Sequence, residues 1–264
     1  MTNRRLALAA VASCAAWIFF PAVPGARAEE RLPFAPGETL TYDMSWSVFP
    51  AGQVQVEYFG PVKSSNKSYV VKATAQSSGY VSIIYKVQDE FRSIFGPEPL
   101  CSHQISKTVN EGRRHKSAEI HFDYGRKVAI LDESDPSKQN TPEKHEENEI
   151  SACVQDVVSA FYYLRAQPMK VGQHLQLDVN DGGKTSEVDV EVQGREQIKT
   201  GIGTRTALRV EPKVFGKLFK KKGRMLIWFS DDAQRLPLRV KMFLSFGSIV
   251  GTLSSVTSTT DAAP

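Results

Sequence analysis

Residues able to do chemistry are few and scattered in this 264-residue chain. Its five histidines are His103, His115, His121, His145 and His174, and no two stand at the i, i+4 spacing of a helical metal pair. His115 and His121 are six residues apart in a strand-like stretch rich in Arg and Lys, which argues against a metal site. Asp178-Val-Asn180-Asp181-Gly182 imitates the opening of a calcium loop, but Gly182 holds the fifth position, where an oxygen ligand belongs. That stretch reads as a hairpin turn, and Asp231-Asp232 as the opening of a turn toward Leu236-Pro237. No Gly-x-Ser-x-Gly elbow or recognisable Ser/His/Asp order supplies a nucleophile, and no glycine-rich strand-to-helix loop cradles a phosphate. Neither metal nor cofactor is expected.

Binding chemistry is better represented. Met225 to Phe229 form an apolar run without alternation, the pattern of a strand covered on both faces. In the functional reading Trp228 joins Tyr42, Trp46 and Phe243 to line a pocket for an acyl chain or other apolar ligand. The alternative is ordinary core packing by the same aromatics. A second candidate is the run from Lys213 to Arg224, where six basic residues interleave with Val214, Phe215, Leu218 and Phe219. At a hairpin tip, Phe215 and Phe219 would sink below the headgroups of an anionic membrane while Lys217, Lys220, Lys221 and Lys222 meet the charges. An acidic partner would suit the same lysines. The competing reading is a solvated turn whose lysines guard an edge strand.

The elements that must position these residues are mostly strands. Leu40, Tyr42, Met44, Trp46 and Val48 alternate with Thr41, Asp43, Ser45 and Ser47, giving one apolar and one polar face. Phe49-Pro50-Ala51-Gly52 is the expected turn, after which Val54, Val56 and Tyr58 alternate with Gln53, Gln55 and Glu57. A hairpin with one wet face belongs to an antiparallel sheet. Further strands are expected at about 69–77, 86–95, 102–109, 117–124 and 127–132, whereas the charged stretch 132–149 predicts a surface loop. Leu175, Leu177 and Val179 open another strand, Asn180-Asp181-Gly182-Gly183 turn it, and Val188, Val190 and Val192 follow. Strands at about 205–214, 224–229, 236–245 and 249–256 complete the set.

One helix is predicted over 154–166, where Val154, Val157, Val158, Phe161 and Leu164 make one apolar stripe. Asp156 suits its positive end, Arg165 its negative end, and Pro168 stops it. So many antiparallel strands must curl or close. Many are shorter than the roughly ten residues of an outer-membrane barrel strand, and the chain ends in a polar tail. The expected fold class is therefore all-β and mainly antiparallel. It is a curved sheet or barrel-like half-barrel of roughly a dozen strands with one amphipathic helix.

The first 28 residues set the compartment. Arg4 and Arg5 precede an apolar stretch from Leu6 to Phe20, and Ala26-Arg27-Ala28 makes a small-x-small cleavage site: a secretory signal peptide, cut after Ala28. Val11-Ala12-Ser13-Cys14 resembles a lipobox, but cleavage there would leave apolar Ala15 to Phe20 at the mature start, so lipidation at Cys14 is the weaker reading. The expected organisation is a signal peptide at 1–28, one β-rich periplasmic domain at 29–257 and a disordered tail at 258–264. Loss of Arg4, Arg5 and Arg27 from the 33 basic residues leaves 30 against 29 acidic, so charge gives no reason to expect a nucleic-acid partner. Cys101 and Cys153 remain as an even pair in an oxidising compartment. The alternatives are one disulfide or two buried thiols, and the compartment favours the disulfide.

Three stretches resemble one family. Cys153-Val-Gln-Asp-Val-Val-Ser-Ala-Phe-Tyr-Tyr-Leu-Arg165, followed by Pro168-Met-Lys-Val-Gly172, is similar to the central signature of the exported bacterial family called domain of unknown function 3108. Gly37-Glu-Thr-Leu-Thr-Tyr42 with Ala51-Gly52 resembles its first hairpin, and Trp228-Phe-Ser-Asp-Asp-Ala-Gln-Arg-Leu-Pro237 with Gly247-Ser-Ile its late strands. That resemblance implies a fold and a compartment but no reaction. A fainter resemblance, in strand content and in a tryptophan strand followed by Asp…Leu-Pro, is to periplasmic lipoprotein carriers of the LolA/LolB type. It implies a curved sheet around an apolar cavity, although those carriers close theirs with several helices. The expected function is non-catalytic binding of a lipid or other amphiphilic envelope component, with a membrane surface or envelope protein as a further partner. The alternatives are an interaction module with a filled core and, third, an envelope hydrolase of unrecognised mechanism.

Overall fold

The computed structural model describes residues 32–61, 68–97, 99–138, 144–214, 224–245 and 247–258. The expected signal peptide, the tail beyond 258 and the candidate membrane contacts Phe215, Lys217, Phe219, Lys220, Lys221 and Lys222 lie outside the described residues. The first half of the chain gives β1 (Glu38–Trp46), β2 (Phe49–Pro61), β3 (Tyr69–Ser77), α1 (Gly79–Ile84), β4 (Gln88–Phe95) and β5 (Ser102–Glu111). It continues through β6 (Arg114–Asp123), β7 (Val128–Ser134) and β8 (Lys144–Glu149). The second half gives α2 (Ser159–Ala166), β9 (His174–Asn180), β10 (Thr185–Thr200) and β11 (Gly203–Val214). It ends with β12 (Met225–Ser230), β13 (Pro237–Leu244) and β14 (Gly247–Ser258).

Among the described residues these strands form one 14-stranded antiparallel sheet, ordered β8-β7-β6-β5-β4-β3-β2-β1-β14-β13-β12-β11-β10-β9. Two meanders, one per half, are joined where β1 pairs with β14. The expected all-β, curved antiparallel architecture is what the chain adopts. The alternation of the first hairpin gives inward Leu40 and Tyr42 opposite Val56 and Val54. Its turn, however, falls at Ser47–Val48 rather than at 49–52. Ser47 takes a left-handed φ of 55°, and Ala51 is the extra residue at a register shift beside Met44. Gly52 permits that shift, since a Cβ there would stand 2.0 Å from the Gln76 carbonyl oxygen.

The edge strands β8 and β9 do not pair with each other. A short extended segment lies across the gap. Ser102 N donates to Val154 O (2.9 Å) on one side; Gln155 N donates to Asp178 O (2.8 Å) and Asn180 N to Gln155 O (2.9 Å) on the other. Side chains complete the seam: Asn180 Nδ2 donates to Asn148 Oδ1 (2.6 Å) and Thr185 Oγ1 to Glu149 O (2.8 Å). The disulfide Cys101–Cys153, Cα atoms 5.2 Å apart, ties the segment to the start of β5. Asp156, fully buried, accepts from Ser93 Oγ (2.6 Å), Ser102 Oγ (2.5 Å), Val158 N (2.7 Å) and Ser159 N (2.9 Å). Its carboxylate thus receives four donors, as a buried charge requires.

The seam explains why the helix is shorter than expected. Residues 154 and 155 spend their backbone groups on β5 and β9, so α2 begins only at Ser159. From there it packs on the inner face of the sheet. Leu164, Phe161 and Tyr163 meet Val190, Val192, Val210 and Phe229, while Tyr162 meets Phe34, Tyr58 and Phe95. The concavity is therefore occupied by the chain's own helix.

Two further expectations are corrected. The stretch 132–149 contains the end of β7 and the whole of β8, whose sequence Lys-His-Glu-Glu-Asn-Glu shows no apolar alternation because an edge strand can pair by backbone alone. A second helix, α1, was not foreseen. The polarity of the sheet is also the reverse of a transmembrane barrel, since apolar residues fill the interior while Glu191, Arg209, Glu211, Lys213 and Arg239 occupy the outer face.

Cys101 and Cys153 are separated by 52 residues. Closing that loop is worth about 4 kcal/mol in the chain-entropy model. The double variant C101S/C153S is expected to lose about that much in guanidinium unfolding, with a higher m-value because the unlinked unfolded chain is more expanded. An unchanged midpoint would show that the seam holds without its covalent tie.

Candidate functional site

The buried chemistry of the interior centres on Arg165, the largest side chain with no solvent exposure. Its guanidinium donates to both oxygens of Glu38 at the start of β1 (2.6 and 2.9 Å), to Pro33 O (3.0 Å) and to Gln234 O (3.2 Å). The rings of Phe34 and Tyr162 lie 5.3 and 5.4 Å from it. Burial works against the cation, but the Glu38 hydrogen bonds and charge outweigh it and hold the pKa above its ordinary value. The sequence suggested only a charge at the helix end. Around it Phe34, Tyr58, Tyr69, Phe95 and Tyr162 pack edge to face or tilted, with centroids 4.9–6.4 Å apart. This constellation fastens α2 inside the sheet.

The register places the four residues expected to line one pocket on both faces of their strands. Trp228 pairs with Arg239, Arg239 with Thr252 and Thr252 with Asp43. Successive residues of a strand face opposite sides, so Tyr42 lies on the inner face and Trp228 on the outer. Trp46 belongs to the inner row Trp46–Ile249–Met242–Met225, while Phe243 shares the outer face with Trp228. Tyr42 and Trp228 nevertheless belong to one apolar cluster with Leu238 and Leu253, and Phe243 packs against it, whereas Trp46 is not part of that cluster. The reading of Met225 to Phe229 as covered on both faces does hold, with Ile227 and Phe229 packed in one cluster and Leu226 and Trp228 in another.

Trp228 packs with Ile198, Ala207 and Leu226, and polar groups meet its indole edge. Its indole N–H donates to Glu196 Oε2 (3.0 Å), and the other Glu196 oxygen accepts from Arg209. Arg209 Nε donates to Gln193 Oε1 (3.0 Å), and Arg224 makes two bonds of 2.7 Å to Glu211. Phe243 has Lys241 Nζ 4.7 Å from its ring centre. His145 and His174 bond Asp132 (2.7 Å) and Asp189 (2.9 Å) on the edge strands, both side chains more than half exposed. Asp232 and Asn180 serve turns: Asp232 accepts from Gln234 N (3.0 Å) and Asn180 from Gly182 N (2.8 Å). Among the described residues, no three His, Cys, Asp or Glu side chains converge as metal ligands would.

One concave surface of the described structure lies on the outer face at one rim. A cleft of about 570 Å³ has the cross-strand row Thr252–Asp43–Gln53–Gln76 as its polar floor and Val48 and Pro50 as apolar walls. Gln53 Nε2 donates to Asp43 Oδ1 (3.1 Å), which aligns that floor. α1 borders the cleft, anchored by Ser78 N donating to Ala51 O (2.9 Å). No single strand of the sequence encodes this arrangement; it arises from four strands in register.

Breaking the buried pair is expected to be costly. Glu38→Ala should destabilise by roughly 3–5 kcal/mol, because it leaves a buried cation without its counter-charge, and the double variant E38L/R165M should recover most of that loss. A double-mutant cycle from urea melts checks this. Burial pushes the phenols of Tyr42, Tyr58 and Tyr162 well above their ordinary value and that of Tyr124 up to about 12. An acid with a raised folded pKa contributes stability that is complete below the unfolded pKa near 10 and is lost as pH climbs through the folded one. Alkaline titration followed by phenolate absorbance and circular dichroism should show these four ionising only as the sheet unfolds. Ionisation of all eight tyrosines near pH 10 with the sheet intact would refute it.

A model of the family described as "Protein of unknown function (DUF3108)" matches residues 41–254. No curated protein matches the chain. The fold is similar to that of a crystal structure of a β-barrel-like protein of domain of unknown function DUF1849 from Brucella abortus. The TM-score is 0.59 at 9% identity, covering 84% of this chain and 97% of that one. A protein with a YmcC-like fold from Bacteroides fragilis aligns at TM-score 0.38 and 8% identity, over 86% of this chain and 98% of that one. The family match runs from within β1 to within β14 and takes in the seam, α2 and the cleft, and the chain belongs to the DUF3108 family.

Proposed function

We propose that this chain is a non-catalytic, extracytoplasmic protein that binds an amphiphilic envelope component on its outer surface, in the cleft beside α1, rather than in its interior. The observation that carries this reading is the division of the two faces. The inner face is taken up by α2 and its aromatic cluster, whereas the cleft sets the polar row Thr252–Asp43–Gln53–Gln76 against Val48 and Pro50. A polar floor beside an apolar wall suits a molecule with a headgroup and a chain. The basic, apolar, small-x-small start of the sequence and the Cys101–Cys153 disulfide support export from the cytoplasm. The filled interior also favours a second reading, an envelope interaction module without a small ligand.

The test uses the mature chain purified from periplasm. Mass spectrometry of co-purified lipid, and titration with a monomeric lysophospholipid, are expected to give binding that Gln76→Trp weakens at least tenfold by filling the cleft. Absence of lipid together with absence of titratable binding would favour the interaction module. Binding unaffected by Gln76→Trp would remove the cleft as its place.

A further inference from the structure

The largest exposed apolar side chains of the described structure gather at one rim. The antiparallel registers bring the β1–β2 turn, α1, the β5–β6 turn and the β13–β14 turn to the same end of the strands. There Val48, Phe49, Tyr80, Ile83 and Ile84 are between 64% and 86% exposed, and Tyr85 is nearly half exposed. Single exposed apolar residues are ordinary, but a cluster of this size on one rim marks an interaction surface. α1 makes the case sharper. Not one of its residues is buried, so its two isoleucines contribute nothing to the core.

We infer that this rim docks on the surface of an anionic lipid bilayer, with Ile83, Ile84, Val48 and Phe49 entering the acyl boundary. Charge selects this occupant. Gly112 N donates to Lys86 O (2.8 Å) and a Cβ at Gly112 would stand 3.1 Å from the Tyr85 ring, so the turn carrying Arg113 and Arg114 sits against the exit of α1. Lys86, Arg113 and Arg114 are all exposed. Glu111 is the acid among them, taken up by Arg114 (3.2 Å) and the Tyr85 hydroxyl (3.5 Å), which leaves a positive border around an apolar centre. Tyr80 and Tyr85 have the apolar body and polar tip that suit the headgroup level. Apolar insertion with flanking cations is how a monotopic surface binds anionic lipid. Val214 and Arg224, which flank the lysine-rich run, also end at this rim. The inference goes beyond the amphiphile-binding reading and does not require it, because a chain with an empty cleft could still dock.

The test is co-sedimentation of the mature chain with vesicles of phosphatidylglycerol and phosphatidylethanolamine, against vesicles of phosphatidylcholine alone. Binding is expected to the anionic vesicles only, and to fall several-fold between 0.1 M and roughly 0.5 M salt as the charges are screened. I83E/I84E should weaken it at least tenfold and R113E/R114E several-fold, with the thermal midpoint unchanged because α1 buries nothing. Gln76→Trp should leave vesicle binding intact, which separates docking from occupancy of the cleft. Equal binding to both vesicle types, no binding to either, or an I83E/I84E variant that binds as before would overturn the inference. So would light scattering that shows a dimer abolished by I83E/I84E, since the rim would then cover a second copy.

Discussion

Arg165 is the point on which the architecture turns. A guanidinium without solvent exposure persists only if a carboxylate and further acceptors surround it. Here those acceptors come from three separate places: Glu38 on β1, Pro33 in the segment before it and Gln234 in the β12–β13 turn. Arg235 returns the contact by donating to the Arg165 carbonyl (3.0 Å). One side chain thus fixes α2 to the middle of the sheet, where the two meanders join, and to the loops over one rim. Withdrawing the helix would strand the cation and Glu38 together, so α2 is a permanent filling rather than a movable lid.

The seam follows from the same economy of buried polar groups. A curled sheet of this length brings β8 and β9 near each other without making them partners. Their edges would otherwise expose unpaired backbone groups, a liability in any sheet. Cys153 to Asp156 meet this need along β9, bonding to its backbone on one side and to the start of β5 on the other, while β8 is reached by the side chains of Asn180 and Thr185. Asp156 then receives donors from β4, from β5 and from the residues that open α2. The stretch that closes the sheet therefore also launches the helix that fills it, which explains why both functions lie in one run of sequence.

Much of this was legible in the residues and some of it could not be. Alternation in β1, β2, β9 and β10 announced strands with one dry face, since periodicity of two is a local property. β8 was hidden because an edge strand needs no apolar face. α1 was hidden because six residues cannot display a helical period, and its apolar residues face away from the core. Arg165 looked like a helix-end charge because hydropathy cannot reveal that a distant Glu38 neutralises it. The opposite facing of Tyr42 and Trp228 on their strands was out of reach for another reason. It depends on pairings carried through β12, β13, β14 and β1, with register shifts that no single strand records.

The two rims of the sheet end up with opposite characters, and the sequence of causes can be followed. At the rim near Glu38 the chain crosses back repeatedly, and several of the described crossings are tied down. Pro33 and Gln234 bond Arg165, and the β10–β11 tip reaches β14, where Gly201 N donates to Leu253 O (2.9 Å). A Cβ at Gly201 would stand 2.2 Å from the Ser254 carbonyl oxygen, so that closure requires the bare backbone. At the far rim the β1–β2 turn is held by backbone bonds such as Ser47 N to Ser248 O (2.7 Å). The β5–β6 and β9–β10 turns are held by side-chain bonds such as Asn110 N to Asp89 Oδ1 (2.8 Å) and Lys107 Nζ to Asp181 O (2.8 Å). Yet Val48, Phe49, Ile83 and Ile84 stand exposed there. The core gains nothing from the two isoleucines of α1. Their presence beside Lys86, Arg113 and Arg114 is better explained by what the free rim meets than by anything the fold requires.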